Sequence, residues 1–163
     1  MRKLGFIFFL AFAALFAGCK GDSASSAAGL VSTDLMKYGM PIKVNAPAEA
    51  KIESSDLGIM KDVTIKGEGN YSLQISSGVS TTTNIASIKA EQLRDVQNAL
   101  YFGEVVQEDE HGFIYRKKIS EDRINHDFRY IKIQADQEYI FQTGLLGSYS
   151  LEDVQRMYDS VKG

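Results

Sequence analysis

Apolar and polar residues alternate along most of the chain after Met40, and this period of two residues predicts β-strands. Short turns join consecutive predicted strands; the GEGN sequence at residues 67–70, for example, separates the two strands of a predicted hairpin. The predicted strands cover residues 41–47, 50–55, 61–66, 71–76, 103–107, 112–119, 127–135 and 138–146.

Two other segments have the period of a helix. In the first, which runs from Asn84 to Leu100, apolar residues fall on one helical face and Thr83 is the expected N-cap. The second follows Ser150, where Ser150 and Asp153 have the S-x-x-D spacing of a capping box. Its apolar face consists of Leu151, Val154, Tyr158 and Val161.

The order of these elements predicts an α+β fold with a largely antiparallel sheet of about six to eight strands and two main helices. Residues 34–163 are expected to form one domain, which is long enough to bury a core without a disulfide or a metal.

The N-terminus has a different pattern. Arg2 and Lys3 precede an apolar run, Leu4–Ala17, that is shorter than the ~20 residues a membrane-spanning helix needs. A basic start, an apolar middle and small residues at the end are typical of a secretory signal peptide, here residues 1–18.

The residues Ala17, Gly18 and Cys19 resemble the lipobox of bacterial lipoproteins, although Phe16 stands where that motif has an aliphatic residue. The resemblance implies attachment of a diacylglyceryl group to the sulfur of Cys19 and cleavage before Cys19, so that palmitate-like acyl chains anchor the protein to the bilayer. Two acyl chains hold a protein firmly at a membrane, at ~0.8 kcal/mol per buried CH₂. Cys19 is the only cysteine, so it has no disulfide partner within the chain. A secreted protein with a chance cysteine is the alternative.

The Ser-, Ala- and Gly-rich residues after Cys19 predict a flexible tether, with 19–33 as the lipidated cysteine and its linker. Lys20 replaces the aspartate that marks inner-membrane retention in enteric bacteria, which favours the outer membrane of the cell envelope. The sequence does not distinguish its periplasmic side from the cell surface. Without Arg2 and Lys3 the net charge falls from −3 to −5, which disfavours nucleic acid as a partner.

The early PIKVNAP strand, the hairpin, the central helix, the aromatic hairpin strands and a last helix ending in MYDSVK together resemble the PsbP-like superfamily. The resemblance covers roughly Met40 to Lys162. It implies an antiparallel sheet packed between helices and an accessory or binding role without a shared chemistry.

The strand register predicts which side chains share a sheet face. With a two-residue turn at Asp136–Gln137 and a turn centred on Arg123–Ile124, one face is aromatic and carries two lysines. Either both faces are core, or part of this aromatic face lines a groove for a flat, weakly anionic ligand or a partner protein. The candidate ligand-binding residues are Phe113, Tyr115, Phe128, Tyr130, Lys132 and Phe141.

No catalytic motif is present. The acidic Glu108–His111 segment is expected to be a solvated hairpin tip, and neither His111 nor His126 has a partner at zinc-ligand spacing. We therefore expect no cofactor, no metal and no enzymatic activity. The favoured function is a membrane-anchored accessory or protein-interaction module with an envelope partner. The alternatives are a binder of a small molecule or lipid fragment, and a hydrolase.

Overall fold

The computed structural model describes residues 29–162, so the predicted signal peptide (1–18), Cys19 and the first part of the predicted tether lie outside the described residues. Nine strands lie within these described residues: β1 (Leu30–Asp34), β2 (Lys43–Pro47), β3 (Lys51–Asp56), β4 (Met60–Gly67), β5 (Tyr71–Val79), β6 (Phe102–Glu108), β7 (Gly112–Lys118), β8 (Ile124–Gln134) and β9 (Gln137–Thr143). The helices are α1 (Ile85–Gln97) and α2 (Leu151–Ser160), with a short 3₁₀ helix at Met36–Tyr38.

Seven of the strands form one sheet in the order β3-β4-β5-β9-β8-β7-β6, and every neighbouring pair is antiparallel. The other two, β1 and β2, form a separate antiparallel ribbon. The predicted α+β class, the antiparallel sheet and the two main helices are confirmed. No helix within residues 29–162 has both the length and the apolar character needed to cross a membrane.

Different elements pack against the two faces of the seven-stranded sheet. The β1–β2 ribbon and α2 lie on one face, termed the α2 face, over a core in which Tyr71, Phe128 and Phe141 are fully buried. Helix α1 packs on the other, the α1 face, where Val96 contacts a smaller cluster containing Phe113 and Tyr115. The division explains why the central strands are apolar on both sides.

Side-chain caps define where both helices begin. The Asn84 side chain accepts a hydrogen bond from the backbone of Ser87, so Asn84 and not the predicted Thr83 is the N-cap of α1. The predicted capping box of α2 is confirmed: the Asp153 backbone donates to Ser150 Oγ, and the Asp153 carboxylate accepts from the Ser150 backbone.

Replacing Ser150 with alanine is expected to lower the free energy of unfolding by about 1 kcal/mol, because the first turn of α2 loses its cap. Chemical denaturation measures the loss. Ser148→Ala is the matched control, since the Ser148 side chain is exposed and lies two residues earlier in the same loop. An equal loss in both variants would show that the cap contributes nothing.

The register between β7 and β8 differs from the prediction. Gly112 pairs with Tyr130 and Lys118 with Ile124, so the connection is a five-residue loop, 119–123, centred on Glu121. Relative to the predicted register, β7 is displaced along β8 by an odd number of residues. The side chains of β7 that were expected on the same sheet face as a given set of β8 side chains therefore lie on the opposite face. The turn between β8 and β9 is Ala135–Asp136, one residue earlier than predicted, which leaves the faces of that hairpin unchanged.

The N-terminal boundary also differs. Residues 30–33, predicted as the end of the tether, belong to β1, where Leu30 pairs with Pro47 and packs against the core.

The β6–β7 turn is held by both helices and is not simply a solvated tip. Asp109 accepts hydrogen bonds from the backbone of His111 and Gly112 and forms an ion pair with Lys162, just after α2, at 3.2 Å. Lys89 of α1 donates to the Asp109 carbonyl. The turn therefore ties the two helices to the end of β7.

Candidate functional site

The residues predicted to share an aromatic face lie on two faces. Phe113 and Tyr115 are on the α1 face. Phe128, Tyr130 and Phe141 are on the α2 face, and strand alternation places Lys132 with them. The prediction of one shared face is wrong because of the β7–β8 register. All five aromatic side chains are buried, which favours the alternative that both faces are core.

The α1 face holds a buried carboxylate that the sequence pattern did not single out. Asp127 of β8 is only 7% exposed. It accepts hydrogen bonds from Tyr115 Oη (3.0 Å), Lys117 Nζ (3.0 Å) and Thr143 Oγ1 (2.7 Å), and one from the Thr143 backbone (3.1 Å). Tyr115 and Lys117 donate to Oδ2 and Thr143 to Oδ1. Arg129 Nη1 lies 3.5 Å from Oδ1. We name this group the Asp127 cluster: Tyr115, Lys117, Asp127, Arg129 and Thr143.

Charge and burial oppose each other at this carboxylate. Burial alone would raise the pKa of Asp127, but Arg129 and Lys117 and the hydrogen bonds outweigh it and hold the pKa below its usual value. Burial, together with the neighbouring Asp127 carboxylate, raises the pKa of Tyr115. Tyr115 is therefore a neutral donor to an ionised Asp127 at neutral pH.

A cleft opens above the Asp127 cluster, between the end of α1 and strands β6–β8. Its volume is about 210 Å³, and Lys117, Arg129 and Tyr115 line it together with apolar groups such as Val96 and Phe102. We name it the α1 cleft. Lys117 reaches the cleft from β7 and Arg129 from β8.

A larger groove lies at one end of the sheet. Gly29 and Leu30, the first described residues, lie beside Pro47 and the β4–β5 turn. We call this end of the sheet the proximal end. The β3–β4 and β8–β9 turns lie at the opposite, distal end. The distal groove, about 670 Å³, has Ser77, Gly78 and Tyr139 among the residues that line it.

Exposed apolar side chains lie at this groove: Ile59 and Val79 line it, and Leu57 and Met60 are close to them. Ile59 is 90% exposed, Val79 71% and Leu57 68%, and Met60 beside them is also exposed. The four are neighbours because Met60 pairs with Gly78 across the β4–β5 hairpin. The sequence signal for this surface is the turn Leu57-Gly58-Ile59. Turns usually carry polar residues, and this one has an apolar residue on each side of its glycine.

Other candidate chemistry is sparse. Within residues 29–162, no three His, Cys, Asp or Glu side chains lie close enough together to hold a metal ion. His111 stacks on Tyr130, and its Nδ1 lies 3.3 Å from the Ile131 carbonyl, so its contacts are structural.

Comparison with protein-family models, curated proteins and solved structures finds no match to this chain.

Proposed function

We propose that the protein is a lipid-anchored, non-catalytic interaction module of a bacterial cell envelope. Cys19 carries the anchor, and the distal groove binds an apolar segment of an envelope protein. The observation that supports this most directly is the position of the exposed apolar side chains: they lie at the end of the sheet opposite to the point where the chain enters.

The groove lies one strand length farther from the anchor than the proximal end does. Ten residues separate Cys19 from Leu30, and ten residues span at most ~36 Å when fully extended. The eight residues of β4 run from the distal to the proximal end and rise by ~26 Å. With the proximal end towards the bilayer, the distal groove therefore faces outward, where a protein partner can reach it.

The surface chemistry of the groove suits a protein segment. A cluster of exposed apolar side chains is uncommon on a monomer and marks an interaction surface. The charges beside it compensate each other, since Lys61 lies 3.5 Å from Asp56 across the β3–β4 hairpin. A neutral, apolar rim around a recess fits an apolar segment with one inserted side chain, and does not favour a charged partner such as nucleic acid.

We also propose that the domain is PsbP-like. One antiparallel sheet with a helix on each face agrees with the architecture that the resemblance implies, as does the order of the elements. Accessory roles without a common chemistry are expected for that superfamily, in keeping with an interaction module.

Photocrosslinking in the original host tests the proposal. A benzoylphenylalanine placed at Ile59 of the full chain should give one discrete protein adduct. Val79→Asp should reduce its yield by about 10-fold or more, because a charge enters the apolar rim. Cys19→Ser should abolish the adduct by releasing the chain from the membrane. The same probe at Glu121, an exposed residue of the proximal loop 119–123, is the matched control.

Other outcomes contradict the proposal in distinguishable ways. Equal adducts from Ile59 and Glu121 would show that the distal groove has no specific partner. Adducts only to lipid, or only to a second copy, would assign the groove to the membrane or to self-association. Activity of the purified chain on a hydrolase substrate panel would overturn the non-catalytic assignment.

A further inference from the structure

The α1 cleft is separate from the distal groove, and the two share no lining residue. Its floor contains two cations whose side chains are mostly buried, Lys117 (25% exposed) and Arg129 (16%). Both are directed at the single carboxylate of Asp127. The inference drawn from this arrangement does not depend on the proposed function.

The Asp127 cluster has one more positive than negative charge. Lys117 and Arg129 contribute two cations and Asp127 one anion, while Tyr115 is neutral. The other charged residue that lines the cleft is Asp95, which lies on the exposed side of α1 at the mouth, where water and salt screen it. A partly desolvated excess cation is stabilised by an additional anion.

Arg129 already has the fixed geometry that an anion site needs. Its Nη1 donates to the Phe128 carbonyl (2.8 Å), and its guanidinium lies over the Tyr115 ring, 5.7 Å from the centroid. These contacts hold the side chain at the floor of the cleft whether or not a ligand is bound. A preorganised donor binds an anion without a further loss of side-chain entropy.

The walls and the volume limit the class of ligand. Val96, Phe102 and Ala99 supply apolar surface beside the cations. About 210 Å³ is less than the ~300–1,000 Å³ of a site for a drug-sized molecule. We propose that the α1 cleft binds a small organic anion, with its carboxylate at Lys117 and Arg129 and a flat or short apolar group against Phe102 and Val96.

Calorimetric titration of the full chain, purified in detergent, tests this site, with benzoate as the organic probe, phosphate as the inorganic one and empty micelles as the blank. Benzoate should bind saturably and more tightly than phosphate. Lys117→Gln should weaken benzoate binding by at least about 10-fold, since Arg129 and Asp127 then neutralise each other. Lys117→Arg should retain binding.

Lys118→Gln is the matched control, because Lys118 is the next residue of β7, is exposed and points to the other sheet face. Ala99→Phe fills the cleft without removing a charge and should abolish binding even if Lys117→Gln fails to fold. No saturable benzoate binding, unchanged binding in the Ala99→Phe variant, or phosphate binding without benzoate binding would each overturn the proposal.

Discussion

Replacing Asp127 with asparagine is expected to lower the free energy of unfolding by about 3–5 kcal/mol. The variant keeps the size of the side chain and removes its charge, so Lys117 and Arg129 remain mostly buried without a counter-ion. The new amide also presents hydrogen atoms towards a group of donors that includes Thr143 Oγ1. A domain of this size has roughly 5–15 kcal/mol of stability in total, so the variant should unfold at markedly lower denaturant concentration.

The pH dependence distinguishes loss of charge from general damage. The pKa of Asp127 is lower in the folded state than its usual value of 3.8, so its contribution is fully present above that value and is lost as the pH falls through the lower, folded pKa. The difference in stability between wild type and Asp127→Asn should therefore shrink below about pH 3.8. Asp122→Asn, in the exposed loop 119–123, is the control and should have no effect. An Asp127→Asn variant as stable as wild type would show that the cluster contributes no net stability.

The second large effect is expected at Gly112, the first residue of β7. A Cβ atom there would collide with the Arg129 carbonyl oxygen and lie 2.9 Å from Tyr130 Cα and from Tyr158 Oη. The first two are backbone atoms of the paired strand, and Tyr158 is fully buried, so none of them can move aside cheaply. Gly112→Ala should lower the free energy of unfolding by about 3 kcal/mol, a loss measurable by chemical denaturation.

Gly78→Ala is the control for this substitution. Gly78 also lies within a strand of the same sheet, but a Cβ atom there would meet only the Ile59 carbonyl at an ordinary 3.8 Å. This variant should be neutral or slightly stabilising, because alanine restricts the unfolded chain more than glycine does. If both variants were equally destabilised, loss of glycine itself and not the close strand approach would be the cause.

Local patterns predicted the elements well, and long-range pairings explain what they missed. Val63 and Ile65 alternate within a hairpin whose GEGN turn fixes its register, and Ser150 and Asp153 are three residues apart; both signals lie within a few residues of chain. The connection after Lys118 has no comparable signal. It is closed by backbone hydrogen bonds between Ile119, Ser120 and Arg123, and sequence alone could not place its centre at Glu121.

The candidate sites depended on that register. In the sequence Asp127 looks like Asp122, a carboxylate near a turn. It becomes a buried counter-ion because β7 brings Tyr115 and Lys117 to it from one side and β9 brings Thr143 from the other. Likewise, Ile59 and Val79 are twenty residues apart and become neighbours only through the β4–β5 pairing.

The β1–β2 ribbon determines how the domain would carry a mechanical load. A pull on the residues before Gly29 acts along the axis of β1, whose five pairings with β2 are then stretched together in shear and not opened one after another. At the far end of β1, the fully buried Leu35 and Met40 are joined by a backbone hydrogen bond and resist withdrawal of the strand. Tension between the N-terminus and a partner at the distal end would thus pass through the ribbon before it reached the seven-stranded sheet.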